Sequence, residues 1–333
     1  MPYERERMVA MQALLAACRL CRAVQQALTP NALTKADRSP VTVADFGAQA
    51  VVSSLLTDAF PNDPLVAEED STELLKPENA RVRELVVSFA RTVAPQLDEM
   101  SIIRAIDRGN HPGGRDRFWT LDPIDGTKGF LRREQYAVAL ALMEEGRPVV
   151  GALGCPNLPV YEDAGQSAGR MFIAVRGEGA YERGLDDDGT EWRIRVEDVA
   201  QPSAARFCES VESGHSSQGD AARVAAQLGI RNPPLRMDSQ CKYGVVARGE
   251  ASIYLRLPVK KLNDPTRHLE KIWDHAAGAL IVEEAGGVVG DVLGKPLDFA
   301  RGRELSGNAG VIVTNGQLHN AVLKVVQQVL ELK

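Results

Sequence analysis

Apolar residues recur every three to four positions from residue 3 to residue 28, with Met8, Met11, Leu15 and Cys18 on one stripe, which predicts an amphipathic helix. Thr29-Pro30 ends it, because proline cannot continue the backbone ladder. After a loop, Asp37-Arg-Ser-Pro-Val-Thr42, the threonine stands as cap of a second helix that runs to Phe60 and carries Asp45 in its first turns. Pro61-Asn-Asp-Pro64 turns the chain into a short strand, Leu65-Val-Ala67, whose end delivers Glu68, Glu69 and Asp70. Residues 77–97 read as a peripheral helix. Apolar runs bounded by turn residues predict strands over 118–121, 137–143, 149–155, 171–175 and 192–196. Gly177-Glu-Gly179 and Leu185-Asp-Asp-Asp-Gly189 read as turns. Beyond residue 200 the rhythm changes. Helical patterns over 222–228, 241–248, 273–285 and 317–332 alternate with strand patterns over 252–255 and 310–313. This change predicts two domains, 1–199 and 200–333.

The length of 333 residues accommodates two ordinary domains, and a hydrophobic content of 44% is enough for a full core. The net charge, 39 − 45 = −6, argues against a nucleic-acid or membrane-surface partner, either of which calls for a basic field. No uninterrupted run of 18 apolar residues predicts a membrane span, and MPYERERMVAMQALL lacks a cleavable apolar core. The expectation is a cytoplasmic, monomeric protein. Its five scattered cysteines fit a reducing compartment. Cys18-x-x-Cys21 lies inside a helical pattern with no strand before it, so the pair reads as packing residues rather than a redox couple.

The candidate chemistry lies in Trp119-Thr-Leu-Asp-Pro-Ile-Asp-Gly-Thr-Lys-Gly-Phe130. Asp122 and Asp125 stand three residues apart across a proline, where a strand ends. Gly126 and Thr127 follow with free backbone N–H groups. Hard divalent cations take carboxylate and carbonyl oxygens. Phosphates take backbone N–H groups at a turn or helix start. Five acids stand at element ends: Asp45, Glu68, Asp122, Asp125 and Asp274, the last in the first turn of a predicted helix. Taken singly, each is accounted for as a cap or a solvated charge, and the acid run within 185–189 reads as a solvated loop tip. Brought together, they would repel one another strongly unless about two or three divalent cations neutralised them.

The pair of motifs Asp122-Pro-Ile-Asp-Gly-Thr127 and Trp273-Asp-His-Ala-Ala-Gly278 resembles the lithium-sensitive, magnesium-dependent phosphatase superfamily, which includes the inositol monophosphatases. Within it, the chain is most similar to the 3'(2'),5'-bisphosphate nucleotidase family. DRSPVTVAD (37–45), GRDRFWTLDPIDGTKGFLR (114–132), GALGCPNLP (151–159), ESGHSS (212–217), MDSQCKYG (237–244), YLRLP (254–258) and KIWDHAAG (271–278) carry that similarity. It covers nearly the whole chain from Asp37, and the link over 259–270 is longer than usual. The resemblance implies a layered αβαβα sandwich. It implies metal binding by Glu68, Asp122, the Ile124 carbonyl, Asp125 and Asp274, with two or three Mg2+ ions per site. Asp45 and Thr127 would orient and deprotonate the attacking water, while the Gly126 and Thr127 N–H groups hold the scissile phosphate. His215, Ser239, Lys242 and Arg256 would contact a bisphosphate nucleotide, with Asp274 also bordering it. Glu69 and Asp70 are assigned to the surroundings or to solvent. The implied reaction is hydrolysis of adenosine 3',5'-bisphosphate to AMP and phosphate, with 3'-phosphoadenosine 5'-phosphosulfate as a further substrate. Inositol polyphosphate 1-phosphatase activity and a non-enzymatic nucleotide sensor are the alternatives.

Overall fold

The computed structural model describes residues 2–28, 39–160, 169–187, 189–211, 216–262, 264 and 266–332. The chain opens with two long helices, α1 (Glu4–Leu28) and α2 (Ser39–Ala59), followed by β1 (Leu65–Ala67). Two helices, α3 (Ala80–Val93) and α4 (Glu99–Asp107), precede β2 (Phe118–Asp125) and the short α5 (Thr127–Arg132). An antiparallel run completes the first half: β3 (Ala137–Glu144), β4 (Arg147–Cys155), β5 (Arg170–Val175), β6 (Gly179–Gly184) and β7 (Trp192–Ile194). The second half contains β8 (Phe207–Glu209), α6 (Gln218–Leu228), β9 (Leu235–Arg236), α7 (Cys241–Ala247) and β10 (Ile253–Arg256). It closes with α8 (Ala276–Glu284), β11 (Val288–Gly290), β12 (Val311–Thr314) and α9 (His319–Val329).

Among the described residues the strands form two sheets, ordered β1-β2-β3-β4-β5-β6-β7 and β11-β12-β10-β8-β9. Helices α1 and α2 cover one face of the first sheet, and α8 packs on its other face. α7 joins α8 in that middle layer and also touches β8, β10 and β12 of the second sheet. α9 packs on β12, with α6 beside it on the outside. The result is a layered αβαβα fold with three apolar cores: one under each outer helix layer, and a central one that surrounds the middle helices and reaches both sheets. β3 shows why both faces of the first sheet are apolar. Val138, Leu140 and Leu142 enter the core under α1 and α2, while Ala137, Ala139, Ala141 and Met143 enter the core under α7 and α8. The small residues let α8 come close: a Cβ on Gly151 would lie 2.9 Å from the Ala277 carbonyl oxygen.

Several expectations change. Of the expected stripe, Met11 and Cys18 are buried but Met8 is 50% exposed; α1 also buries Ala10, Ala13, Leu14, Ala17, Leu20 and Val24, because it is wedged between α2 and the sheet. Its length and mean apolarity are those of a membrane-crossing helix although no apolar run in it is unbroken, and more than half of that stretch is buried in this fold. Thr42 lies within α2 rather than capping it. The single helix expected over 77–97 is a 3-10 turn at Pro77–Asn79 followed by α3, and Pro95 stops it. The Asp98 side chain then caps the unforeseen α4 by accepting from Ser101 N–H at 2.7 Å. β6, β8, β9 and β11 were not foreseen either. Asp37 and His215 lie outside the described residues.

Candidate active site

β1 and β2 run parallel, with Ala67 level with Leu121. The residues that follow, Glu68 and Asp122, are therefore carried to the same end of the sheet. Asp122 and Asp125 both lie inside β2 rather than after it. Residues three apart on a regular strand face opposite sides. Here the pairing with β3 slips: Asp122 is level with Ala139 and Asp125 with Ala137, so Pro123 and Ile124 together oppose Val138. Pro123 has no N–H to give the ladder, which suits it to a bulge. The bulge resets the alternation and brings the two carboxylates into mutual electrostatic reach. The Ile124 side chain is buried with the outer helices, leaving its carbonyl as its acceptor in the bulge.

Gly126 ends the bulged segment at φ 90°, and a Cβ there would lie 2.8 Å from Ser239 Cβ. Only glycine meets both conditions without strain. Thr127 opens α5 and is exposed. Asp45 comes from α2, which packs on β2. Asp274 lies in the turn just before α8 rather than inside the helix. No direct hydrogen bond joins Asp45 to Thr127 among the described residues.

The acids crowd one another. Asp122 is 2% exposed, and its carboxyl is pushed well above the usual range by burial, then by Glu68, Asp125, Asp274 and Asp45. Glu68 is exposed as a residue, while its carboxylate lies within electrostatic reach of Glu69, Asp274 and Asp125. Burial, then Glu69, Asp274 and Asp125, push it up to about 8. Burial, then Glu69 and Glu68, raise Asp45. Asp274 is raised by burial, against the pull of Arg256. Asp122 Oδ1 is buried without a hydrogen-bond partner. An orphaned carboxylate oxygen among like charges fits a hard divalent cation, which these acids and the Ile124 carbonyl are the right type to hold. His268, Glu270 and Asp274 also bring one potential ligand atom each within 4.8 Å of one another. Arg256 already supplies positive charge to that trio, 2.7 Å from Glu270 and 3.5 Å from Asp274.

The opposite wall comes from the second half. Ser239 is buried at φ 69°, and its Oγ accepts from Cys241 N–H at 3.2 Å. Lys242 is buried, with Nζ 3.4 Å from the Met237 carbonyl and 5.1 Å from the centre of the Tyr254 ring. Burial lowers its pKa and Asp125 opposes the shift. Burial also works against the Arg256 charge, but Glu270 and Asp274 hold it.

Two contributors, Gln240 and Glu270, were not legible in the sequence, and Glu69, assigned to the surroundings or to solvent, borders the acid cluster. Gln240 donates its backbone N–H to Asp125, donates Nε2–H to the Trp273 carbonyl at 2.9 Å, and accepts from Gly278 N–H at 3.2 Å. It ties β2, α7 and α8 together. Glu69 is the charge acting most strongly on Asp45. Glu270, on the long link, pairs with Arg256. No residue-type pattern announces Gln240 or Glu270; each acts through position. Arg132 on α5 also pairs with Asp238, which fixes the 237–240 segment against the Gly126 turn.

This layered fold and acid cluster are those of a phosphatase: the chain belongs to the inositol monophosphatase family, whose model matches residues 5–331. At the level of individual relatives, it is 46% identical over 342 residues to a 3'(2'),5'-bisphosphate nucleotidase of Schizosaccharomyces pombe, covering 97% of this chain and 95% of that one. It is 45% identical over 347 residues to 3'(2'),5'-bisphosphate nucleotidase 1 of Arabidopsis thaliana, covering 98% and 97%. Among solved structures it is similar to an inositol monophosphatase from Zymomonas mobilis, with a TM-score of 0.63 and 21% identity over 100% of both chains. An inositol monophosphatase from Anabaena gives 0.62 and 21%, covering 98% of this chain and 97% of that one.

Proposed function

We propose that this enzyme is a magnesium-dependent 3'(2'),5'-bisphosphate nucleotidase that hydrolyses adenosine 3',5'-bisphosphate to AMP and phosphate, with 3'-phosphoadenosine 5'-phosphosulfate as a second substrate. Two or three magnesium ions, held by Glu68, Asp122, the Ile124 carbonyl, Asp125 and Asp274, would supply the charge that stabilises the phosphoryl oxygens and acidifies water. The Gly126 and Thr127 N–H groups hold the scissile phosphate at the start of α5. Asp45 accepts the proton of the attacking water, with Thr127 Oγ orienting it. The water oxygen bonds to phosphorus as the P–O3' bond breaks. The ribose oxygen leaves with the electron pair and takes up a proton. No cysteine serves as nucleophile: all five are buried thiols.

The observation that carries the substrate reading is the pair of cations, Lys242 and Arg256, within electrostatic reach of Asp125. With Ser239, and with His215 from the same half, they would receive a second phosphate, which an inositol monophosphate lacks. The nucleotidase names of the relatives support the same reading. The test is phosphate release from adenosine 3',5'-bisphosphate, adenosine 3'-monophosphate and inositol phosphates, each with magnesium and with chelator. Equal or faster release from inositol 1,4-bisphosphate would replace this reading by a polyphosphate 1-phosphatase, and no release from any substrate would leave a nucleotide sensor.

A further inference from the structure

Arg256, the last residue of β10, stands at the mouth of a line of polar side chains that runs back into the middle helix layer. Its Nε lies 2.7 Å from Glu270 Oε2. The same Glu270 oxygen lies 3.2 Å from His275 Nε2. His275 Nδ1 lies 2.7 Å from the Tyr243 hydroxyl. Access falls along the line: the Arg256 side chain is 17% exposed and His275 is 0% exposed.

The inner end is tightly packed. The Tyr243 ring packs edge-on against Tyr254, with centroids 5.3 Å apart, and lies so close to α8 that a Cβ on Gly278 would come 2.4 Å from its Cγ. A neutral imidazole carries one N–H. With the Glu270 carboxylate able only to accept, Nε2 must donate to it, and Nδ1 must then accept from the tyrosine hydroxyl. For a neutral ring this arrangement pairs both nitrogens, and it couples the ring orientation to the Glu270 carboxylate. Glu270 in turn holds the guanidinium by charge, through a close ion pair at Nε that makes no aligned hydrogen bond. A long side chain with much rotamer freedom is thus held before any substrate arrives, and ordering it costs the binding step less.

We propose that Glu270 is a positioning residue: anchored by His275 and Tyr243, it presets the Arg256 guanidinium for the non-scissile phosphate and thereby sets the preference for bisphosphate over monophosphate substrates. This rests on the nucleotidase reading. Glu270 touches no substrate and acts through Arg256.

The experiment measures kcat and KM at saturating magnesium for adenosine 3',5'-bisphosphate and adenosine 3'-monophosphate in the wild-type enzyme, E270Q and Y243F. E270Q keeps the shape and removes the charge. The expected result is a KM for the bisphosphate raised about tenfold with kcat nearly unchanged, and neither constant moved beyond about twofold for the monophosphate. Y243F should shift the same KM by about two- to fourfold. If E270Q does not fold, judged by its circular dichroism, the split in Y243F decides. A loss of kcat shared equally by both substrates overturns the proposal, since it marks a frame role. A wild-type preference that both variants leave intact overturns it as well. A wild-type enzyme with no preference overturns the nucleotidase reading and this inference with it.

Discussion

The backbone N–H of Gln240 donates to the Asp125 carboxylate across 115 residues of sequence. That bond closes the cleft wall of the second half onto the acid-bearing strand of the first. Asp125 therefore has two duties: it contributes charge to the acid cluster and it anchors the α7 start. Asp125→Asn keeps an acceptor oxygen for Gln240 and removes the charge. Its kcat/KM should fall by about a thousandfold or more with the fold intact. Near-full turnover at saturating magnesium would contradict the proposed metal role.

Asp122→Asn should behave differently in the absence of metal. Its carboxyl is buried among like charges, with one oxygen unpartnered. A neutral amide relieves that repulsion. In chelator at neutral pH the urea midpoint of Asp122→Asn should equal or exceed that of wild type, while activity is lost. A midpoint clearly below wild type would show that the carboxylate stabilises the fold without metal.

The cluster also gives the metal-free protein a pH dependence of known sign. Glu68 is raised from 4.5 to about 8, and Asp45 and Asp122 shift the same way. Where folded acids hold protons that the unfolded chain has released, stability falls as pH rises. For Glu68 the decline begins near 4.5, its unfolded value, and levels off above about 8. Chelated protein should therefore have a lower urea midpoint at pH 8 than at pH 5, and magnesium should narrow the gap by displacing protons. A metal-free midpoint that rises between those two pH values would refute the assigned shifts.

Gly126→Ala tests the turn that joins the two acids to the N–H groups proposed to hold the phosphate. The new Cβ meets both the φ of 90° and Ser239 Cβ at 2.8 Å. The expected loss is about 1–3 kcal/mol of stability, together with a marked drop in turnover as Ser239 is pushed back. A variant with wild-type melting temperature and activity would mean that the turn adapts freely.

Lithium should inhibit at concentrations where sodium and potassium do not. It is small enough for a magnesium position but carries half the charge, so the developing phosphate charge would be less well neutralised. Equal inhibition by all three salts at one ionic strength would mean screening instead.

The central strands were legible because β2, β3, β4 and β5 each carry an apolar run buried on both faces. β8, β9 and β11 have only two or three residues each, too few to carry a period. The motif acids could be named from the chain, and the register of β1 against β2 explains how two of them meet. The bulge could not be read, because alternation alone would put Asp122 and Asp125 on opposite faces. Gln240 and Glu270 were invisible for a related reason: an amide and a carboxylate become significant only through partners that lie distant in sequence or across a link of unusual length.

The shared middle layer has a consequence for biosynthesis. Phe118, Ala139, Met143, Leu153 and Phe172 line the face of the first sheet that α7 and α8 cover. A nascent chain emerging N-terminus first exposes that greasy surface until residues up to Glu284 have left the ribosome. Fragments split near residue 200 would inherit the same exposed face, so neither half is suited to an independent life as a transplantable module.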